Sequence, residues 1–411
     1  VAGGGAIGLL THLGNHAMHP PRRRLAGLLV AAATLTACSA PERDPLHVEA
    51  IAGREATFDD ELAAFRARAT DRVLARADAV ASGATGDDTL DVLALSGGAD
   101  WGAFGAGYLA RWSELGDDAA VAMPEFDVIG GISTGALIGT YVASGEPERY
   151  RAIEDFYRNT EPAWVQFAGI AAFLPSSTAI FKVDGIRAEV AAAIDDALIR
   201  DLRRAREDHR TIAVGTTDLD LGRLQYWELG AEASADARPH ARIVDILMAA
   251  TAIPGAFPPV EIDGRLHADG GAVQGVPGIA PSQIPAFGKL WRERYGDRPM
   301  PPFRFWFLFN NQLDLRAEAV GLSWYEIVYR SYQTISQTAF KAPLATHLLQ
   351  ARASGTSDVP PMEVRWVAIP NSYESRPDAI PFDPAVTNEL ADLGREVAER
   401  PDGGWRSDYP G

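Results

Sequence analysis

The sequence contains a single cysteine, Cys38, so no disulfide can form within the chain. Basic residues are also scarce, since 38 lysines and arginines stand against 55 acidic residues for a formal net charge of −17. A face that neutralises nucleic-acid phosphates needs a basic excess, so this charge argues against nucleic acid as a partner. It also argues against a general attraction to anionic lipid. Any membrane contact must therefore be local or apolar.

The sequence also lacks an apolar run long enough to span a membrane. Residues 25–35 are apolar and small, well short of the ~20 residues that a membrane-spanning helix needs. They follow a short basic segment that begins at Met18, and they lead into Leu35-Thr36-Ala37-Cys38. A basic segment, a short apolar segment and small residues before a cleavage point are typical of a secretory signal peptide. We predict this signal at residues 18–38.

The last four residues of the signal, Leu35-Thr36-Ala37-Cys38, resemble the lipobox of bacterial lipoproteins. The resemblance implies cleavage before Cys38 and a lipid on its thiol and new amino group, which would anchor the protein to a membrane of the bacterial cell envelope. Ser39 differs from the aspartate of an inner-membrane retention signal, which favours the outer membrane. Residues 1–17 have no role in this signal and are expected to be an upstream extension. The alternative is an ordinary signal peptide beside a stray or buried cysteine.

The remaining chain has ordinary globular composition, 47% hydrophobic and 23% charged, which suits one large α/β domain with appendages. We expect a tether and an N-terminal helix at residues 39–88, the main domain at 89–400 and a loose tail at 401–411. The tether is predicted to end at Glu55. Apolar residues spaced by three and four then predict a helix from Thr57 to Val80.

Strands and helices are predicted to alternate in the main domain. Strands are expected at 90–96, 126–132, 210–217, 223–229, 264–269, 303–309 and 363–369, and helices at 101–115, 146–158, 184–206, 242–252, 322–339 and 384–398. Near-continuous apolar strands of this kind indicate an α/β fold with a mainly parallel sheet covered by helices on both faces.

The strand that begins at Phe126 ends in Gly131-Ile132-Ser133-Thr134-Gly135, and a helix-compatible run follows. Glycines on both sides of Ser133 permit a tight turn that a Cβ would obstruct. Such a turn would raise the serine hydroxyl above the sheet, with a helix N-terminus beneath it. The pattern predicts a nucleophile elbow, and the alternative is a plain Gly-rich turn in an α/β protein.

A serine nucleophile needs a base and pre-formed donors for the oxyanion. The loop Gly97-Gly98-Ala99 follows the first strand of the domain, at the edge where open α/β sheets hold their sites, and could aim its N–H groups at Ser133. The alternative, a nucleotide-binding loop, fits neither the dinucleotide fingerprint nor the P-loop.

For the base, the best candidate is Asp269, followed by Gly270 and Gly271 at a strand end. The alternative is a surface Asp-Gly turn. A triad of Ser133, Asp269 and His347 has an order allowed in α/β-hydrolases, but His347 lies in a helical stretch. His267 alternates with apolar neighbours and is expected to be a wall or surface residue.

Four motifs occur in a fixed order along the chain. They are Ser-Gly-Gly-x-x-x-Gly ending at Gly102, Gly-x-Ser-x-Gly around Ser133, Ala-Ile-Pro-x-x-Phe-Pro-Pro at 252–259, and Asp-Gly-Gly from Asp269. This set resembles the patatin-like phospholipase family, from about Leu90 to Pro277.

The resemblance implies a three-layer patatin-like fold and a Ser-Asp dyad that needs no histidine. Ser133 would be the nucleophile and Asp269 the general base, which requires a partly desolvated pocket that raises its proton affinity. Oxyanion-hole amides would come from Gly97, Gly98 and Ala99, with Thr134. The motif glycines that support this geometry are Gly102, Gly131, Gly135, Gly270 and Gly271.

The implied activity is hydrolysis of acyl esters in lipids, of phospholipase A or lysophospholipase type, with no metal or cofactor. The partners expected are a lipid or acyl-ester substrate and a membrane reached through the lipid on Cys38. The sequence does not indicate an oligomeric state.

Two positions depart from the family pattern. Ala99 stands where the family usually has a third glycine, and Trp101 where it has a basic residue. If the backbone at Ala99 requires positive φ, alanine costs roughly 1–2 kcal/mol there. These departures leave a second hypothesis open, a weak or inactive lipoprotein that binds lipid or a protein partner. The apolar run at residues 163–174 is expected either to line an acyl pocket, to meet a membrane, or to form a buried helix.

Overall fold

The computed structural model describes residues 48–119, 121–174, 176–235, 237–278, 283–317, 319–356, 359–376 and 380–409. The predicted upstream extension, the signal peptide and Cys38 lie outside these described residues. Residues 169–177 belong to a small separate unit, and its short 3₁₀ segment Gly169–Phe173 exposes Ile170 and Phe173. Everything below concerns the large unit, residues 46–168 and 178–411.

The helices of the described residues are Val48–Ala81 (α1), Gly102–Leu115 (α2), Thr134–Tyr141 (α3), Pro147–Arg158 (α4), Asp184–Ala193 (α5), Asp196–Glu207 (α6), Leu229–Ala235 (α7), Pro239–Ala250 (α8), Gln283–Tyr295 (α9), Trp324–Arg352 (α10) and Pro384–Ala398 (α11).

The strands are Leu90–Leu95 (β1), Val128–Ile132 (β2), Gln166–Phe167 (β3), Phe181–Lys182 (β4), Thr211–Asp218 (β5), Arg223–Glu228 (β6), Val260–Ile262 (β7), Arg265–Asp269 (β8), Phe303–Phe309 (β9) and Met362–Ala368 (β10). Strands β3 and β4 pair only with each other. The others form one sheet in the order β10-β9-β1-β2-β5-β8-β7, with β6 also paired to β5.

The sheet is mostly parallel, as predicted. β10, β9, β1, β2 and β5 run in the same direction, whereas β6 and β8 are antiparallel to β5 and β7 is antiparallel to β8. Separate apolar clusters cover its two faces. The strand β9 supplies both clusters by alternation, with Trp306 on one face and Phe305 and Phe307 on the other, all at most 2% exposed. The mixed α/β class is therefore confirmed.

Several predicted element boundaries were wrong. α1 begins at Val48, so the tether predicted to run to Glu55 is helical over its last residues. The single helix predicted at 184–206 is two helices, because Asp195 begins α6 as an N-cap and accepts from the N–H of Leu198 at 2.7 Å. α10 runs to Arg352, well past the predicted end at Ala339.

The tail was also predicted wrongly. The tail is packed against the sheet and is not loose, because Arg406 pairs with Trp366 on β10 through two backbone hydrogen bonds of 2.8 Å. Trp405 is 8% exposed and stacks edge-on against Trp306. The run at 163–174 is not a buried helix, since Trp164 is buried but Phe167 is 57% exposed. Among the described residues, no helix is long and apolar enough to cross a membrane.

Candidate active site

Strand β5 brings the two predicted catalytic residues together. β2 runs parallel to β5 and ends with Ile132 opposite Gly215. β8 runs antiparallel to β5 and ends with Asp269 opposite Thr216, the next position. Both use the same edge of β5, because β6 occupies the other edge along this stretch. The carboxyl ends of β2 and β8 therefore meet, and Ser133 follows directly after the first of them.

Ser133 forms the sharp turn between β2 and α3. Its backbone has φ 54° and ψ −127°, a conformation that costs a non-glycine residue roughly 1–3 kcal/mol. The flanking glycines are required by close packing: a side chain at Gly135 would collide with the carbonyl of Leu95, and one at Gly131 with the carbonyl of Gly135. The geometry is that of the predicted elbow.

Asp269 is 1% exposed at the end of β8. Its Oδ1 accepts from the N–H of Gly271 at 2.7 Å, and its carbonyl accepts from Oγ1 of Thr217 at 2.9 Å. Burial raises the pKa of the carboxyl to about 6, against smaller opposing effects of the Ser133 hydroxyl and the Gly271 N–H. The carboxyl is thus a better base at neutral pH than an exposed aspartate, as the dyad requires.

Oδ2 of Asp269 does not form a hydrogen bond with Ser133. The serine hydroxyl lowers the pKa of the carboxyl as a hydrogen-bond donor does, yet Oδ2 of Asp269 is buried and makes no hydrogen bond within the described residues. Catalytic hydrogen bonds are often long or poorly aligned until substrate binds. An unused, solvent-shielded acceptor therefore lies beside the serine.

The predicted oxyanion donors need one correction. The N–H of Gly97 donates to the carbonyl of Gly275 at 3.0 Å, so this amide is not available to an oxyanion. The amides of Ala99 and Thr134 begin helical turns and therefore have no partner within those turns. Gly98 immediately precedes the first of these turns. The donors left for an oxyanion are Gly98, Ala99 and Thr134.

The two departures in this loop have structural consequences. Ala99 has φ 51°, so the position does require the left-handed conformation, at roughly 1–2 kcal/mol for alanine. Trp101 packs edge-on against Tyr373, with ring centroids 5.7 Å apart. The loop thus keeps its donors under backbone strain, and Trp101 makes an aromatic contact where the family has a cation.

Two asparagines after β9 hold this loop, a role that was not predicted from the sequence. Asn310 is fully buried, donates from Nδ2 to the carbonyl of Ser96 at 2.9 Å, and accepts from the N–H of Gly105 at 3.1 Å. Asn311 donates from Nδ2 to the carbonyl of Gly97 at 2.8 Å. The available signals were a looser likeness to the family over residues 307–311 and an amide pair at the carboxyl end of a parallel strand, where sites are expected.

Thr134 and the remaining motif glycines complete the packing. Oγ1 of Thr134 and the hydroxyl of Tyr157 share a hydrogen bond, and a side chain at Gly102 would collide with both groups. Gly270 lies against β5, where an added Cβ would come within 2.6 Å of the Gly215 carbonyl. Gly102 is needed because two hydroxyl side chains pack against it, and Gly270 because it lies against the backbone of β5.

A narrow cavity of about 30 Å³ opens at Ser133, Ala99 and Thr134. Its other walls are mainly apolar, from Leu137, Ile186, Met248, Ile253, Phe257 and Phe382. The Phe257 segment is the predicted Pro-rich motif.

Neither histidine is placed to complete a triad. His347 packs between Phe305 and Phe307, its Nδ1 lies 2.8 Å from the carbonyl of Pro343, and burial lowers its pKa. His267 is fully buried against Trp227 and does not line the cavity at Ser133, so it is a core residue and neither the wall nor the surface residue that was expected. In the described part of the chain, no cluster of His, Cys, Asp and Glu is arranged to hold a metal.

Fold and site together define the class, an α/β protein with a strained serine elbow beside a buried carboxylate. Residues 93–278 match the family model described as patatin-like phospholipase. The chain therefore contains a patatin-like phospholipase domain. Members of this family are lipid acyl hydrolases. The resemblance seen in the sequence is confirmed. It is also similar to the solved structure of VipD from Legionella pneumophila, at 13% identity and a TM-score of 0.35 over 78% of this chain and 68% of that chain. No curated protein matches the sequence.

Proposed function

We propose that this protein is a serine acyl-ester hydrolase of phospholipase A or lysophospholipase type, with Ser133 as nucleophile and Asp269 as general base. One observation carries the proposal: β2 and β8 end at neighbouring positions of β5, which brings the elbow serine beside a buried carboxyl with a raised pKa.

In the acylation step, Oδ2 of Asp269 accepts the proton of Ser133 while Oγ attacks the acyl carbonyl of the ester. The carbonyl oxygen becomes an oxyanion, stabilised by the amides of Gly98, Ala99 and Thr134. Collapse of this intermediate breaks the ester bond. The leaving alcohol takes the proton from Asp269, and the acyl group stays on Ser133.

Deacylation repeats these roles with water. Asp269 accepts a proton from the water as it attacks the acyl-enzyme, and the same amides stabilise the second oxyanion. The bond to Ser133 Oγ then breaks, the proton returns to the serine, and the carboxylic acid leaves. The apolar walls around Ser133 favour an acyl chain over a polar acyl group.

The test is a panel of short acyl esters, phospholipid vesicles and lysophospholipids, assayed on wild type, Ser133→Ala and a matched control. Ser82→Ala is suitable, since Ser82 is an exposed serine that bonds only to its own helix. We expect wild type and the control to hydrolyse lipid esters, and Ser133→Ala to be inactive. Equal turnover by Ser133→Ala would exclude the proposed nucleophile.

A second candidate function, lipid or protein binding without hydrolysis, is favoured by the strained Ala99 and the engaged amide of Gly97. Fluorophosphonate labelling separates the two candidates. Lipid binding by a protein whose Ser133 is inert would support the binding role.

We further propose that lipid on Cys38 anchors the protein in the bacterial cell envelope, in the outer membrane. This rests on the sequence pattern around Cys38. Metabolic labelling with a fatty-acid probe should mark the wild type and leave Cys38→Ala unlabelled. Lipid retained in that variant would contradict the anchor.

A further inference from the structure

A second cavity, of about 500 Å³, lies between helix α1 and strand β6. This volume falls within the ~300–1,000 Å³ typical of small-molecule sites. None of its lining residues lines the cavity at Ser133, so it is a separate site whose interpretation does not depend on the proposed activity.

One part of the second cavity is apolar and aromatic. α1 contributes Phe58, Leu62 and Phe65 from its apolar stripe, and β6 contributes Tyr226 and Trp227. The rings of Phe65 and Tyr226 stack with centroids 6.4 Å apart. These side chains form a surface suited to an apolar body rather than to a hydrated ion.

Arginines dominate the polar part of the wall, in a chain whose net charge is −17. The cavity is lined by six arginines and four acids: Arg54, Arg68, Arg72, Arg206, Arg242 and Arg265, with Glu61, Glu228, Glu232 and Asp263. Some of these arginines are fully compensated. Arg242, for example, contacts Glu232 at 2.9 Å and Asp263 at 2.8 Å.

The other end of the cavity has an excess of positive charge. Arg72 and Arg206 share one carboxylate, Glu228, which lies 3.5 Å from Nη2 of Arg72 and also contacts Arg206. Burial lowers the pKa of Arg72 despite Glu228, and Arg206 lowers it further. Arg68 has no ion partner among the described residues and precedes Arg72 by four positions. Like charges at this helical spacing repel each other.

Buried polar atoms at this end also lack partners. Within the described residues, Nε of Arg72 and Oε1 of Gln225 are shielded from solvent and make no hydrogen bond. A buried donor without an acceptor costs free energy that a bound anion would recover. Oε1 of Gln225 is an acceptor and needs a donor instead, whereas the arginine excess and the unmet donor of Arg72 both favour a negatively charged acceptor.

We propose that this cavity binds an amphiphilic organic anion, with a carboxylate or phosphate head group at Arg68 and Arg72 and an apolar body against Phe58, Leu62 and Phe65. Charge-assisted hydrogen bonds from arginine suit both head groups. The aromatic and aliphatic wall discriminates such a ligand from inorganic phosphate.

Isothermal titration calorimetry with monomeric dodecyl phosphate, dodecanoate, inorganic phosphate and dodecyltrimethylammonium tests the proposal. The variants are Arg68→Gln and Arg72→Gln, with Arg66→Gln as the matched control, because Arg66 is an exposed arginine of the same helix that does not line the cavity. Thermal unfolding of each variant is measured alongside. Arg68 makes no ion pair in the described residues, so Arg68→Gln decides the matter if Arg72→Gln does not fold.

We expect wild type and Arg66→Gln to bind an anionic amphiphile equally, and each cavity variant to bind it at least ~10-fold more weakly. The two anions show whether phosphate or carboxylate is preferred, and the cation should show no arginine-dependent binding. The proposal is overturned if neither anion binds wild type, or if Arg68→Gln binds as tightly as Arg66→Gln. Equal affinity for inorganic phosphate and dodecyl phosphate would overturn the role of the apolar wall.

Discussion

Buried aspartates lie at both ends of the central strands, and their partners differ. At the amino end, Asp127 accepts from Nε of Arg76 at 2.5 Å and from the N–H of Asp91 at 2.6 Å. At the carboxyl end, Asp269 accepts from Gly271 at 2.7 Å and has no ion pair in the described residues. Burial raises the pKa of both Asp127 and Asp269. Of these two carboxylates, only Asp127 is compensated by a cation. A paired carboxylate suits a structural role at the amino end, and an unpaired one suits proton transfer at the carboxyl end.

Backbone strain follows the same division. Five non-glycine residues of the described chain have positive φ, and three of them, Ala99, Ser133 and Phe382, line the cavity at the serine. Strain of this kind persists only where the surrounding structure enforces it, and it concentrates at functional sites. The carboxyl end is therefore the part of the sheet where backbone strain is concentrated.

The largest effect is expected for Asp269→Asn. Losing the base should lower ester hydrolysis by about 10³-fold, within the range for a general base. The same change should raise stability at pH 7, because a buried charge with few partners is removed. Steady-state kinetics and urea unfolding at pH 7 test both effects. Unchanged hydrolysis in a folded variant would contradict the role of Asp269.

The matching change at the amino end is Arg76→Ala. Removing the cation leaves Asp127 charged and buried, and breaking a buried pair costs roughly 3–5 kcal/mol. Hydrolysis per folded molecule should stay close to wild type. Urea unfolding measures the first effect and active-site titration the second. A variant as stable as wild type would show that the amino end does not depend on this pair.

The fold could be predicted, and Ser133 and Asp269 could be proposed as the catalytic pair, because their signals are local. Apolar runs marked β1, β2, β5, β9 and β10, and glycines marked the turns at Ser133 and Asp269. The engagement of the Gly97 amide could not be predicted, because it depends on a carbonyl, that of Gly275, distant in sequence. The same holds for the Asn310 clamp and for the packed tail at Trp405, since both are tertiary contacts without any periodic pattern.

The pH dependence sharpens the comparison further. With a pKa of about 6, Asp269 is an active base only when deprotonated, so hydrolysis should fall about tenfold per pH unit below pH 6 and level off above it. The free energy of unfolding depends on pH in the opposite direction. The folded pKa exceeds the ordinary aspartate value of 3.8, so Asp269 lowers the free energy of unfolding by up to about 3 kcal/mol as pH rises from about 4 through 6.

Asp269→Asn is the control for this stability effect, because it should lack the part of the decrease between pH 4 and pH 6 that comes from Asp269. Urea unfolding of both proteins across this range measures the difference. A constant difference in stability at all pH values would contradict a raised pKa at Asp269.

The smallest effect is expected for Ala99→Gly. Glycine adopts φ near 51° without strain, so the variant should gain up to about 1 kcal/mol of stability after its larger unfolded-state entropy is subtracted. Hydrolysis should be kept, because the amide at this position remains. Thermal unfolding and ester assays check both. A loss of stability would mean that Ala99 is not strained.

The central claim is that Asp269 activates Ser133, and covalent labelling tests it most directly. The measurement is the rate of modification by a fluorophosphonate between pH 4.5 and pH 8.5, with the modified residue identified by mass spectrometry, in wild type and Asp269→Asn. We predict a single label on Ser133, with a rate that rises through pH 6 and is at least about 100-fold lower in Asp269→Asn. Labelling at another residue, or equal rates in the two proteins, would contradict the account.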